Sequence, residues 1–235
     1  LSLSNVLIGE VWLASGQSNM EMAMRRGTPS EWNTGIDNWE EEIADADYPP
    51  IRLFRIPKKT AGKPLPDVEA AWEICSPSTV GDFSAVGFLF GKELHQKLEV
   101  PIGLIQSAWG GTRIEPWTPP VGFEGIQTLN EITREIEDAN AEYEAAVQNR
   151  ISSIEEWVAE SRVALENDTE LPVPPELPEH PLNDYSEPTA MYNAMIHGIV
   201  PYTIRGAIWY QGESNRKDGL LYLDKMQALI NGWRT

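Results

Sequence analysis

The sequence predicts an α/β fold, a parallel sheet covered by helices on both faces. Short β-branched or aromatic runs alternate along the chain with amphipathic helical stretches, and three of those runs end in small or polar clusters. Composition agrees: 235 residues, 41% of them hydrophobic, suit one globular domain or one domain plus an appended piece. No stretch approaches the roughly 20 apolar residues of a membrane span.

The first strand is Val11-Trp12-Leu13-Ala14, short and apolar, turning at Ser18 into a helix through Met20, Glu21, Met22, Ala23 and Met24. The second, residues 51–56, alternates Ile, Leu and Phe with polar or basic side chains. A helix follows over residues 84–98, where Val86, Leu89, Phe90, Leu94 and Leu98 recur at helical spacing behind Asp82 or Ser84 as N-cap. Residues 102–108 form the third strand and residues 204–210 the fourth, with helices over 189–197 and 220–233.

Residues 121–187 differ in kind. They hold 17 acidic and 3 basic side chains, a net of −14 out of −18 for the whole chain. Thin apolar stripes (Ile132, Ile136, Ala139, Tyr143, then Ile151, Ile154, Trp157, Val158, Leu165) predict a helical hairpin. Six prolines between positions 172 and 188 then predict an extended return. The acidity reads as a solvated face, with an acidic surface for a cationic partner as the alternative.

Several classes are excluded. The negative net charge argues against general affinity for nucleic acid or anionic lipid, both of which reward Lys/Arg clusters. The lone Cys75 rules out an internal disulfide framework or a cysteine-rich zinc site. No phosphate-binding Gly-x-x-x-x-Gly-Lys run, no Gly-x-Gly-x-x-Gly and no His-Glu-x-x-His occurs, and Met20 stands where an α/β-hydrolase elbow needs glycine. The chain opens on leucine with no basic and apolar leader, so its N-terminus reads as cut from something longer, and the compartment stays open.

Ligands of open parallel sheets bind at the carboxyl ends of the strands. Here those ends are Ser15-Gly16-Gln17-Ser18-Asn19-Met20, Trp109-Gly110-Gly111-Thr112 and Gln211-Gly212-Glu213-Ser214-Asn215. A hydroxyl at a strand-to-helix turn, beside unsatisfied N–H groups, suits a nucleophile passing through a tetrahedral oxyanion. Gly110 and Gly111 let backbone N–H groups turn inward, and Gln211 and Asn215 carry side-chain amide donors. Any one of these alone reads as an N-cap, a turn or a loop anchor; the three together point to acyl transfer.

The run from Gly9 through Met20, with Trp109-Gly110-Gly111-Thr112, Tyr192-Asn193-Ala194-Met195-Ile196 and Gly206 through Asn215, resembles the sialate O-acetylesterase family, a branch of the SGNH hydrolases related to esterases that deacetylate xylan. The resemblance implies a three-layer α/β/α flavodoxin-like fold, its core formed by residues 1–120 and 188–235 around the insertion at 121–187. It implies a cofactor- and metal-free serine esterase acting on O-acetylated carbohydrate, and it favours a secreted or periplasmic location. Carried over by position, Ser18 is the nucleophile. Its own N–H and that of Gly111 (Gly110 as second choice) line the oxyanion hole, with Gln211, or else Asn215, as third donor. Gln17, Asn19, Gly110, Arg113, Glu115 and Glu213 fall at the substrate site; Trp117 is either a sugar contact or packing.

The family takes its general base from a histidine preceded by aspartate two or three residues earlier. None of His95, His180 and His197 has one, and each reads as structural or solvated. The chain stops at Thr235, where the family continues into a fifth strand and that loop, so trace activity is expected of this polypeptide. With a sheet order of 2-1-3-4-5 the fourth strand becomes an open edge, which invites self-association.

Overall fold

The computed structural model describes residues 4–28 and 32–235; residues 1–3, on which part of the reading of a cut N-terminus rests, lie outside them. Five strands form one sheet in the order β3-β2-β4-β1-β5: β1 (Glu10–Gly16), β2 (Tyr48–Arg55), β3 (Trp72–Cys75), β4 (Ile102–Ala108) and β5 (Gly206–Tyr210). All neighbours are parallel except β2 and β3. The α/β class therefore holds, with a short antiparallel β3 that sequence patterning did not single out.

The strand order departs from expectation. β1 pairs with β4 on one side and β5 on the other, aligning Leu13 with both Ile105 and Ala207. The fourth expected strand thus lies against the first rather than the third. Burial patterns explain why β1 and β4 are central: every β4 residue except Gly103 is buried, as is the second half of β1, and such strands need neighbours on both sides. β5 has only partly buried and exposed residues and pairs with β1 alone, so it is an edge among the described residues, by a different route than the expected order.

Side chains alternate between two cores. Ile102 and Leu104 of β4 join Ile51, Leu53, Phe83 and Phe88 on one face, under α3 (Ala85–Leu98). On the other face Leu13 and Ile105 join Trp117, Met191, Met195 and Leu229, under the irregular helix at Tyr192–Ile196 and α6 (Leu221–Trp233). These are the three layers. Ser84 is the N-cap of α3, its Oγ accepting from Gly87 N–H and donating to Met20 O at 2.6 Å. That bond ties the start of α3 to the short helix α1 (Ser18–Glu21). A six-residue helix α2 (Trp39–Ala44) precedes β2.

Within residues 121–187 a single long helix stands where a helical hairpin is expected. After a four-residue turn of helix, α4 (Pro120–Phe123), α5 runs unbroken from Asn130 to Glu166 over 37 residues, with no glycine or proline inside to break it. Its first half buries Ile136 and Ala139 against Phe123, Leu182 and Ala228. The Pro-rich return doubles back along it: Trp157 Nε1 donates to Pro172 O at 2.8 Å, and the His180 ring lies 4.4 Å from that of Tyr143. No helix among the described residues is long and apolar enough to cross a membrane.

Candidate active site

Three loops meet at Ser18. β1 ends at Gly16, whose φ of +143° and closeness to β5 admit only glycine; a Cβ there would lie 2.1 Å from Tyr210 O. Gln17 turns the chain, donating its N–H to Tyr210 O at 3.0 Å. Its buried side chain reaches across to the β5 loop, where Oε1 accepts from Gly212 N and Ser214 N, each at 3.3 Å. Asn19 Nδ2 donates to Glu213 Oε1 at 2.6 Å, a second tie between the same loops. From β4, Trp109 N donates to Gly16 O at 3.1 Å, which brings Gly110 against the serine: a Cβ on Gly110 would sit 3.4 Å from Ser18 Cβ. Gln17 and Asn19 therefore act as loop ties.

Ser18 is partly exposed, and among the described residues neither its hydroxyl nor its N–H has a hydrogen-bond partner. Nor has the N–H of Gly111, whose φ is +80°. Gly110 N–H, by contrast, is taken by Glu21 Oε2. Lys58 pairs with the other oxygen of Glu21 and lies 5.6 Å from the Trp109 ring centroid. Tyr185, half exposed at the end of the insertion, stacks on Trp109 at 6.3 Å. Cys75 offers no rival nucleophile: it is wholly buried, and burial pushes its thiol up to about 11.

The two side-chain amides are engaged. Gln211 Nε2 donates to Thr112 O at 3.0 Å and to Asn215 Oδ1 at 2.7 Å, while its Oε1 accepts from Tyr222 at 2.8 Å. Asn215 is buried; its Nδ2 donates to Glu115 Oε2 at 3.0 Å and Asp218 Oδ2 at 2.7 Å, and its Oδ1 accepts from Ile114 N. With both N–H groups engaged inside the protein, Asn215, like Gln211, can serve as an oxyanion donor only by giving up a partner.

Glu115 lies buried, with Oε1 receiving Lys225 at 2.7 Å and Arg113 at 2.6 Å. Asp218 completes the cluster, 2.6 Å from Lys225 and 3.5 Å from Arg113. Burial raises the Asp218 carboxyl, but the hydrogen bonds from Lys225 and Asn215 and the charges of Lys225 and Arg113 outweigh it and hold the group below its ordinary 3.8. Of Arg113 and Glu115, only Arg113 is exposed. Trp117 is packing: it is fully buried, with Nε1 donating to Thr112 Oγ1 at 3.0 Å.

The histidines lie elsewhere. His95 Nδ1 contacts Val100 O just ahead of β4, at the amino end of the sheet; His197 Nδ1 contacts Leu65 O; His180 Nε2 contacts Asn140 on α5. Sequence reasoning missed Glu21, Lys58, Tyr185, Asp218 and Lys225. Only Glu21 left a signal, standing one helical turn after Ser18.

The sequence profile of a family described as carbohydrate esterase, sialic acid-specific acetylesterase matches residues 8–159. Curated relatives include the sialate O-acetylesterase of Rattus norvegicus, 33% identical across 100% of this chain and 40% of its own length. The Homo sapiens counterpart is 30% identical over 100% of this chain and 37% of its own. The chain thus spans about two fifths of the length of the curated relatives it matches. Among solved structures, a carbohydrate acetylesterase from Xanthomonas citri superposes with a TM-score of 0.63 and 27% identity, over 96% of this chain and 38% of that one.

Proposed function

The chain belongs to the carbohydrate esterase family of sialic acid-specific acetylesterases, and on that premise we propose that it is a serine esterase that removes O-acetyl groups from carbohydrate, with Ser18 as nucleophile. The observation that carries this is the meeting of three loops, from β1, β4 and β5, around one hydroxyl that has no hydrogen-bond partner among the described residues.

Ser18 Oγ attacks the acetyl carbonyl carbon, its proton passing to a base, and the carbonyl oxygen becomes anionic. The N–H groups of Ser18 and Gly111 stabilise that oxygen; each such donor is worth roughly 10²–10³ in turnover. Gln211 joins them only by giving up Thr112 or Asn215 as acceptor. Collapse breaks the bond to the sugar oxygen, which leaves with a proton, and water then releases acetate from acetyl-Ser18. Arg113 stands as an exposed cation beside this loop, and the core at 1–120 and 188–235 carries the chemistry, with the insertion lending Tyr185 at its rim. The substrate is an O-acetylated sugar, a sialic acid or an acetylated polysaccharide such as xylan.

The positions of the histidines limit the rate. Loss of the histidine costs about 10⁶ in a serine hydrolase, so this polypeptide alone is expected to turn over at a trace rate, measured as acetate release from an O-acetylated sialic acid or p-nitrophenyl acetate. Ser18→Ala removes that residual hydrolysis and abolishes labelling by a fluorophosphonate, read by intact mass. The same histidine positions favour a second reading, a sugar-binding module without turnover. In that case sugar binding survives Ser18→Ala and no Ser18-dependent acetate appears.

A further inference from the structure

Two adjacent N–H groups, on Gly110 and Gly111, compete in principle for the same role beside Ser18, and one side chain separates their fates. Glu21 Oε2 accepts Gly110 N–H, and a Cβ on Gly110 would sit 3.0 Å from that oxygen and 3.4 Å from Ser18 Cβ. The carboxylate that holds this glycine and the nucleophile beside it thus come from one short helix, Ser18–Glu21. Gly111 N–H is left without a partner, on a backbone with φ of +80° and open space where a side chain would stand. Glu21 is only 15% exposed, and Lys58 holds its second oxygen, so the carboxylate has one oxygen for the clamp and one for its counter-ion.

We propose that Glu21 is a positioning residue for the esterase reaction: by fixing Gly110 N–H it sets the orientation of the next peptide and aims Gly111 N–H at the oxygen that becomes anionic when Ser18 attacks. The inference rests on the reading of Ser18 as nucleophile, and it assigns Glu21 no contact with substrate. Ground-state binding is untouched by such a clamp, whereas a displaced oxyanion donor weakens only the transition state; a misplacement of about 1 Å costs on the order of 10²-fold. Lys58 pairs with the carboxylate's other oxygen and lies over the Trp109 ring of the same loop.

The test compares the chain with its Glu21→Ala and Glu21→Gln variants in the Ser18-dependent hydrolysis of p-nitrophenyl acetate, together with the amide resonance of Gly110. Expected for Glu21→Ala is a fall in kcat of about 10- to 100-fold at a KM within about twofold, with the Gly110 amide moving upfield. Glu21→Gln keeps an acceptor oxygen and recovers most of that loss. A kcat for Glu21→Ala within about threefold of the parent overturns the proposal, as do equal losses in both variants, which would make charge rather than the clamp the operative feature. Should the parent itself show no Ser18-dependent hydrolysis, the esterase reading fails while the clamp is still decided: an unmoved Gly110 amide in Glu21→Ala refutes it. Should Glu21→Ala fail to fold, Glu21→Gln decides, and a loss of 10-fold or more there refutes the clamp.

Discussion

Two regions of this molecule are dense in charge and use it in opposite ways. Beneath the Ser18 loops, Glu115, Asp218 and Lys225 have side chains only 10%, 13% and 5% exposed, and every charged atom named there has a partner within 3.5 Å. Along the insertion, 17 acidic side chains face 3 basic ones and most carboxylates stand in water. Side-chain type alone does not tell the two apart; the number of partners within reach does. A buried ion pair is a weak source of net stability, yet breaking it from one side leaves an uncompensated charge. A solvated carboxylate has no such leverage.

The largest contrast is expected at Lys225. Lys225→Met removes the buried one of the two cations that hold Glu115 and Asp218 and leaves only the half-exposed Arg113, so stability should fall by about 3–5 kcal/mol in urea unfolding. The Gln211–Asn215 loop should loosen with it, slowing fluorophosphonate labelling of Ser18. A loss below about 1 kcal/mol would equate this cluster with a surface pair.

A smaller and local effect is expected from pH in the insertion. Burial, aided by the Lys63 charge, holds His180 below its ordinary 6.5, so the unfolded segment binds protons more readily than the docked one. The stability that His180 contributes is present above 6.5 and is lost as pH falls through that value toward the folded one. Amide protection factors in residues 172–188 should drop across that window while those of β1 and β4 hold; uniform protection would break the contrast from the other side. Smallest of all is Glu155→Gln on the exposed face of α5, expected to change stability by less than about 0.5 kcal/mol in the same urea titration.

Much of the site was legible because its parts are local. Gln17-Ser18-Asn19, Gly110-Gly111 and Gln211 through Asn215 each follow a readable strand, and knowing that ligands gather at strand ends was enough to bring them together. The partnership of Glu115 with Lys225 was not legible: 110 residues separate them, and in sequence each looks like any solvated charge. Strand order was lost for a related reason, since the apolar patterns of β1, β4 and β5 fit either neighbour arrangement and only burial of both edges of β1 decides it. β3 escaped because Trp72 and Ile74 are exposed on a four-residue edge strand. The length of α5 escaped because two apolar stripes suggested two helices where no turn residue divided them.

The seating of β5 beside β1 also sets a timetable. About 190 residues separate Gly16 from the strand that flanks it, which a ribosome delivers in about 10–40 s at 5–20 residues per second. Through that interval the serine's strand has one bare flank and no arriving Gly212 or Ser214 to brace Gln17, so the loop that carries Ser18 gains its ties only once β5 docks.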